Sequence, residues 1–412
     1  MKYTQKNKVG QGESLPERGL MVLLCSFLAM PLSLSAQELF MVENPLKGRF
    51  VFEQKGCVNC HAIKGDGGDI GPDLAQKHFY GSFLQLAGIM LNHAPEMLRR
   101  MQELDLSYPE FSRTEMVELI AYLYYLRYLG EPGDLYRGKI LVKEKSCLVC
   151  HSIAGKGGDL APAFDKLAKY ISPLYMAQAL WNHGPEMEKK ILKMGLQRPR
   201  FERGEIVDLS AYIREASQGT ERERVYMSPG NPNRGQQVFK NKSCLDCHAL
   251  HGEGQDIGTD LGDLEWDYSV TEIAGVMWNH GSEMASIMEE QQINWPRFGG
   301  KEMADLIAYL YFLKFRDKPG DSELGRAVFA EKGCVNCHGS DAKGGDFAPD
   351  LSRSRGVASP IDMAQIMWNH APVMEARITE KVMRWPQFSG DEMRNMYAFL
   401  HALLRTNNSQ LN

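Results

Sequence analysis

The sequence contains no long run of lysine or arginine, and its formal net charge is −5. This charge balance argues against a protein that binds the phosphate backbone of nucleic acids. After residue 36 the chain has no apolar run long enough to span a membrane. No segment alternates apolar and polar residues as a half-buried strand does. A β-rich fold and a polytopic membrane protein are therefore not expected.

The N-terminal 36 residues have the layout of a secretory signal. A polar, positively charged start precedes an apolar run at 19–30, and small residues follow at 33–36. This order predicts export and cleavage after Ala36. An uncleaved membrane anchor and lipid attachment at Cys25 stay open as alternatives, although the apolar run is short for an anchor. We expect a mature protein in the periplasm or outside the cell.

Four copies of one unit follow, and each copy contains Cys-x-x-Cys-His. The motifs lie at 57–61, 147–151, 244–248 and 334–338. In every copy a glycine stands nine residues before the first cysteine, and a proline stands 48 residues after the motif histidine. We define unit 1 as residues 43–131, unit 2 as 132–225, unit 3 as 230–318 and unit 4 as 319–405. Repetition of this kind predicts tandem domains that share one fold.

Each unit predicts three helices, and the chain as a whole predicts an all-α fold. A short helix leads into the cysteine pair, and a loop rich in glycine and aspartate follows it. A second helix is predicted at about 361–381 and a last helix at about 301–315, with counterparts in the other units. A proline inside the second helix of units 1, 2 and 4 predicts a kink or a restarted helix.

Cys-x-x-Cys-His is the attachment signature of c-type haem. The two thiols reach the vinyl groups on one edge of the porphyrin, and the adjacent histidine meets the iron. A covalent haem also helps to complete the core of a domain of only about 90 residues. The predicted thioether cysteines are Cys57, Cys60, Cys147, Cys150, Cys244, Cys247, Cys334 and Cys337. The predicted proximal iron ligands are His61, His151, His248 and His338.

Other uses of the cysteine pairs explain less of the pattern. A zinc site made from two pairs needs no histidine after each pair, and it would join repeats that otherwise look self-contained. A thioredoxin-like redox pair needs a βαβ context that the sequence lacks. Disulfides would suit an exported protein but leave the histidines unexplained. We therefore expect four covalently attached haems c.

Each unit resembles a class I cytochrome c over about residues 43–405. The residues that carry the resemblance are the glycine and aromatic of the first helix, the haem motif, Gly-Pro-Asp-Leu at 71–74 and Ala-Tyr-Leu at 121–123 and 308–310. The resemblance implies that the first and last helices cross closely at the glycine. It also implies that a prolyl carbonyl accepts a hydrogen bond from the proximal histidine.

The matching prolines are Pro72, Pro162 and Pro349, each eleven residues after the motif histidine. Unit 3 has Thr259 at this position. We therefore expect His248 to be held by a different acceptor or more loosely than its counterparts.

The distal iron ligand is less clear, because the residues before the later proline cannot act as the family's usual methionine. Those residues are Tyr108, Arg198, Trp295 and Trp385. The second helix of every unit instead offers a histidine and, four residues on, a methionine. The preferred distal ligands are Met97, Met187, Met284 and Met374. The alternatives are His93, His183, His280 and His370.

The preference for methionine rests on helical spacing. Seven residues before each methionine lies an apolar side chain, and a small residue lies between the two. The apolar residues are Met90, Leu180, Met277 and Met367, and the small ones are Ala94, Gly184, Gly281 and Ala371. Such a stripe suits a helix that lies close to a flat haem. The histidine is rotated off the stripe by about 100° in an ideal helix.

Filled axial positions on every iron favour an electron carrier over an enzyme. The expected partners are redox proteins, among them a membrane-bound respiratory complex, and no nucleic acid is expected. A multihaem reductase or peroxidase with one open haem, and a structural subunit of a haem wire, stay open as alternatives. No unit lacks the histidine or the methionine, so the sequence marks no unit as catalytic.

Overall fold

The same three helices recur in all four units of the computed structural model. It describes residues 45–76, 81–126, 133–166, 172–216, 230–262, 264, 268–313, 315–345 and 348–409. The predicted signal segment, with Cys25, lies outside the described residues. The helical content of the described residues confirms the all-α fold class.

Each unit contains a first helix, a long helix and a last helix. The first helices are α1 Lys47–Gln54, α4 Leu135–Glu144, α7 Pro232–Asn241 and α10 Ser322–Glu331. The long helices are α2 Phe83–Glu103, α5 Pro173–Lys193, α8 Val270–Glu290 and α12 Pro360–Glu380. The last helices are α3 Arg113–Tyr125, α6 Glu205–Ala216, α9 Glu302–Leu313 and α13 Glu392–Ser409. The short α11 Val335–His338 holds the motif of unit 4, and the motifs of units 1 to 3 begin in 3-10 turns.

A two-residue hairpin follows the haem motif in units 1 to 3, where the sequence predicted only a loop. The strands are β1 Ala62–Ile63 with β2 Asp66–Gly67, β3 Ser152–Ile153 with β4 Lys156–Gly157, and β5 Ala249–Leu250 with β6 Glu253–Gly254. The turn of the first hairpin has positive φ at both Lys64 and Gly65, which is the geometry of tight hairpins. Strands of two residues are too short to show an alternating pattern in sequence.

The first and last helices of each unit cross at the repeated glycine. A Cβ on Gly48 would overlap the Glu118 carbonyl oxygen, and the equivalent glycines approach the backbone of the last helix in the same way. These glycines are Gly138, Gly235 and Gly325. The crossing that the resemblance implied is therefore present in every unit.

Replacing Gly235 with alanine tests this crossing. The new methyl group would overlap the Asp305 carbonyl oxygen, so α7 and α9 must separate. Overpacking of this kind costs about 1–3 kcal/mol of unfolding free energy. We expect a lower midpoint in chemical denaturation of the haem-loaded protein. Gly299→Ala is the matched control in unit 3, because nothing lies within 4 Å of its added Cβ. Equal midpoints for the two variants would contradict the close crossing.

Each long helix is one continuous element, so the prediction that proline restarts it is wrong. Proline removes the hydrogen bond to the carbonyl four residues earlier. In α2 that carbonyl, Leu91 O, accepts instead from Trp385 Nε1 at 3.0 Å. In α5 the Trp181 carbonyl accepts from Trp295 Nε1 at 3.1 Å. Both tryptophan donors belong to a different unit from the helix that they complete.

The long helices pack in pairs that do not follow the order of the chain. Helix α2 of unit 1 packs against α12 of unit 4, and α5 of unit 2 packs against α8 of unit 3. A Cβ on Gly184 of α5 would lie 3.6 Å from the Trp278 ring of α8. One buried cluster contains Leu91 of unit 1 together with Met393 of unit 4. The pairing is therefore nested, with units 2 and 3 joined to each other and units 1 and 4 joined to each other.

The end of unit 3 lies against unit 1. Ser82 Oγ and the Leu84 backbone N–H donate to the carboxylate of Asp317. The hydroxyl of Tyr311 donates to the Tyr124 carbonyl at 2.9 Å. Burial raises the pKa of Asp317 to about 6, so this carboxyl changes its charge near the lower end of the physiological range.

Candidate haem-binding sites

The proximal histidine of each unit is oriented by a backbone carbonyl. The Nδ1 atoms of His61, His151, His248 and His338 lie 3.0, 2.9, 2.9 and 3.2 Å from the carbonyl oxygens of Pro72, Pro162, Thr259 and Pro349. A carbonyl only accepts, so Nδ1 carries the proton and donates. The Nε2 atom is then the ring nitrogen that can bind iron, as in other metal-binding histidines.

Unit 3 does not depart from this pattern, and the expectation of a different or looser acceptor for His248 is wrong. The acceptor is a backbone carbonyl, and a threonine presents one at the same place as a proline does. Gly258 lies against the His248 ring as Gly71 lies against the His61 ring. His248 is in addition buried, with 8% of its surface exposed, whereas its three counterparts are half-buried.

Exchanging Thr259 for proline should therefore leave the haem of unit 3 unchanged. The His248 hydrogen bond does not need the threonine side chain, so we expect the same midpoint potentials in a spectroscopic redox titration. Gly258→Ala should move one potential, because its Cβ would lie 2.7 Å from the His248 ring. A shift with Thr259→Pro as large as that with Gly258→Ala would refute this assignment.

The cysteines of each motif are arranged for attachment to one group. In unit 1 the backbone N–H groups of Cys60 and His61 both donate to the Cys57 carbonyl, which closes a single turn. The same two bonds recur in the other three units. All eight cysteines are free and partly buried. Two thiols on one turn beside an oriented imidazole match the donor set that haem c requires.

The zinc alternative fails among the described residues. No three side chains of cysteine, histidine, aspartate or glutamate are grouped there as a metal site would need. Burial raises the pKa of Cys57 to about 11, and the first cysteine of each other motif behaves similarly. These thiols are shielded from water by the surrounding chain, and each lies beside the second cysteine of its own motif.

The two candidate distal ligands differ in exposure. The four second histidines are exposed, whereas the four methionines are half-buried. His93 Nδ1 donates to the Ile89 carbonyl of its own helix at 2.7 Å. Met187 packs against the same buried cluster as Cys147, the first thioether cysteine of its unit. These contacts favour methionine, and the choice between the two ligands stays a prediction.

The apolar stripe that supported methionine faces a protein helix. Leu180 and Met277 line a cleft between α5 and α8, and Met90 and Met367 line the equivalent cleft between α2 and α12. The small residue Gly281 makes room for the Trp295 ring, whose nearest atom would lie 3.7 Å from an added Cβ. At Gly184 and Gly281 the stripe accommodates an indole of the paired unit, so these residues no longer support a haem-facing methionine, which stays a prediction.

An asparagine in each long helix joins the two units of a pair, and we call this contact the clasp. Its Nδ2 donates to a phenylalanine carbonyl of the paired unit, and its Oδ1 accepts from the N–H of the same phenylalanine. The pairs are Asn92 with Phe388, Asn182 with Phe298, Asn279 with Phe201 and Asn369 with Phe111. All eight distances lie between 2.7 and 2.9 Å.

A tryptophan beside the asparagine strengthens three of the four clasps. Trp181, Trp278 and Trp368 donate through Nε1 to the carbonyls of Pro296, Pro199 and Pro109 at 2.8, 2.7 and 2.8 Å. Unit 1 has Leu91 at this position. The residue before each of those prolines lies on the tryptophan ring: Trp295 on Trp181, the Arg198 guanidinium on Trp278, and Tyr108 on Trp368.

These contacts give a role to the residue before each later proline and to the asparagine of each long helix. The aromatic or arginine before each later proline recognises the paired unit. The asparagine was missed, although it precedes the second histidine in all four units. That recurrence was the available signal.

The comparisons with known proteins agree with this geometry. The cytochrome c family model matches residues 46–127, 232–314 and 322–404, which is more than half of the chain. The chain therefore belongs to the cytochrome c family, whose domains carry covalently bound haem c and transfer electrons. Unit 2 is not among the matched regions.

Two curated relatives are subunits of an oxidase. The chain is 27% identical over 184 residues to the Cbb3-type cytochrome c oxidase subunit FixP of Sinorhizobium medicae (strain WSM419), covering 41% of this chain and 59% of the relative. It is 26% identical to the subunit of the same name from Rhizobium meliloti (strain 1021), with the same coverage. The chain thus spans about three fifths of the length of these relatives. No solved structure matches significantly. In the described ranges no helix is long and apolar enough to cross a membrane.

Proposed function

We propose that this protein is a periplasmic or exported tetrahaem cytochrome c that carries electrons between redox partners. The observation that carries the proposal is the repetition of one proximal geometry in all four units. The motif turn, the free thiols and the carbonyl-bound histidine recur with hydrogen bonds of 2.9–3.2 Å. Four equivalent sites call for four equivalent cofactors.

The number of haems is four or three depending on unit 2, because the family model does not match that unit. His151 Nδ1 lies 2.9 Å from the Pro162 carbonyl, as close as in any other unit. Gly138 lies against the backbone of α6, as the equivalent glycine of every other unit lies against its own last helix. Cys147 and Cys150 are free and partly buried. These features support haem attachment in unit 2.

The residues of each unit suit a carrier. Haem c supplies a one-electron iron couple when it is bound. The two cysteines anchor it covalently, the proximal histidine is fixed by its carbonyl partner, and the long helix presents a methionine and a histidine. Two axial ligands on each iron would leave little to rearrange when an electron arrives. All four units offer the same set, which favours a carrier over a reductase with one open haem.

The export signal and the relatives support the location and the partners. Cytochromes with this motif receive haem outside the cytoplasm, and the layout of residues 1–36 is that of an export signal. The two relatives are named as subunits of a cbb3-type oxidase. We infer by this likeness that one redox partner is a membrane-bound respiratory complex.

The haem count tests the proposal. Purified protein should contain four thioether-bound haems per chain, measured as pyridine haemochrome against protein concentration. The double variant Cys147→Ala, Cys150→Ala should contain three, and so should its matched control in unit 1, Cys57→Ala with Cys60→Ala. A wild type with three haems, unchanged by the unit 2 variant but reduced by the unit 1 variant, would disprove the fourth site.

The distal ligand can be assigned in unit 3, where the helix contains no proline. Met284→Ala should make one haem high-spin and able to bind carbon monoxide when reduced, because it removes the sixth ligand. It should also weaken the far-red absorption band that reports iron–methionine bonds. His280→Ala should leave both signals intact. The reverse result would assign the exposed histidine as the ligand.

A further inference from the structure

We propose that the four units operate as two two-haem modules, units 1 with 4 and units 2 with 3, and that each clasp asparagine is a positioning residue for both haems of its module. The proposal rests on the function proposed above, in that each unit carries a haem whose distal ligand lies on its long helix. It adds that the distal side of each haem is held in place by another unit.

The clasps make each module reciprocal. Asn182 of α5 binds the backbone of Phe298, which lies between α8 and α9 of unit 3. Asn279 of α8 binds the backbone of Phe201, which lies between α5 and α6 of unit 2. Each long helix is thus tied to the segment that follows the long helix of its partner. Neither helix can shift without moving the other unit.

The clasps also lie beside the candidate ligands. Asn182 directly precedes His183 and stands five residues before Met187. The two candidates lie within about one and a half helical turns of the clasp. The clasp therefore fixes the position of the distal ligand whether that ligand is the methionine or the histidine.

The four clasps follow the nested pairing. The partner segments are far apart in sequence: 258 residues separate Asn369 from Phe111, and 78 separate Asn279 from Phe201. In the module of units 2 and 3, Trp181 and Trp278 each donate an indole hydrogen bond to the other unit. In the module of units 1 and 4 only Trp368 does so, because unit 1 has Leu91 at this position. The ion pair between Arg113 and Asp362, with atoms 2.9 Å apart, adds a further contact within module 1–4.

The test compares four single variants of the haem-loaded full chain, Asn92→Ala, Asn182→Ala, Asn279→Ala and Asn369→Ala. The haem methyl resonances of the oxidised protein fall outside the crowded proton region, so each haem gives its own set of signals. Asn182→Ala and Asn279→Ala should shift the signals of the same two haems. Asn92→Ala and Asn369→Ala should shift those of the other two. Comparing the shifted signals shows which two haems belong to one module, and no signal has to be assigned to a particular unit.

The control is Lys189→Ala, which removes an exposed side chain from α5 two residues after Met187 and should shift no haem signals. The modules are refuted if each asparagine variant shifts one different haem, if none shifts any, or if Asn92→Ala and Asn182→Ala shift the same haems. A wild type with fewer than four sets of signals would instead refute the proposed function.

A second set of variants covers the case in which an asparagine variant is not recovered with its haems. Trp181→Leu, Trp278→Leu and Trp368→Leu copy the leucine that unit 1 has naturally at this position. The first two should shift the signals of one shared pair of haems, and the third those of the other pair. Any other grouping overturns the proposal.

Discussion

Helix carbonyls of one unit that accept hydrogen bonds from side chains of another unit hold this molecule together. Pro95 and Pro185 free the carbonyls of Leu91 and Trp181, and a tryptophan of another unit donates to each. A buried carbonyl without a donor costs about 1–3 kcal/mol. Helices α2 and α5 are therefore complete only when the paired unit is in place. The clasp asparagine is the next residue in each of these helices, and it donates to a backbone carbonyl of the same paired unit.

This arrangement divides each haem site into two halves. The proximal half is built within one unit, from the motif turn, the carbonyl-bound histidine and the helix crossing at glycine. The candidate distal ligands lie on a long helix that packs against another unit. Because a packed interface resists local movement, a ligand supplied by this helix would be held more firmly than one on a surface loop. Firm axial ligation suits electron transfer, in which the site should change little between its two redox states.

The proximal half could be predicted from sequence because its contacts are local. Cysteine, histidine and the carbonyl eleven residues on lie within one short segment, and the glycine recurs at a fixed distance. The same reasoning failed at Thr259, since the sequence shows side chains and the contact uses the backbone. The nested pairing could not be predicted, because four similar units offer several self-consistent pairings. The small residues Gly184 and Gly281 indicated a flat ring nearby but could not tell a porphyrin from an indole.

Amide hydrogen exchange in the haem-loaded protein tests most directly whether each unit is completed by its partner. The backbone N–H groups of Phe111, Phe201, Phe298 and Phe388 lie in segments between helices, and each donates to a clasp asparagine of another unit. If the units pair as described, all four amides should exchange as slowly as those in the cores of the long helices. If they exchange at the rate of an exposed loop, the four units are independent domains and do not pair through the clasps.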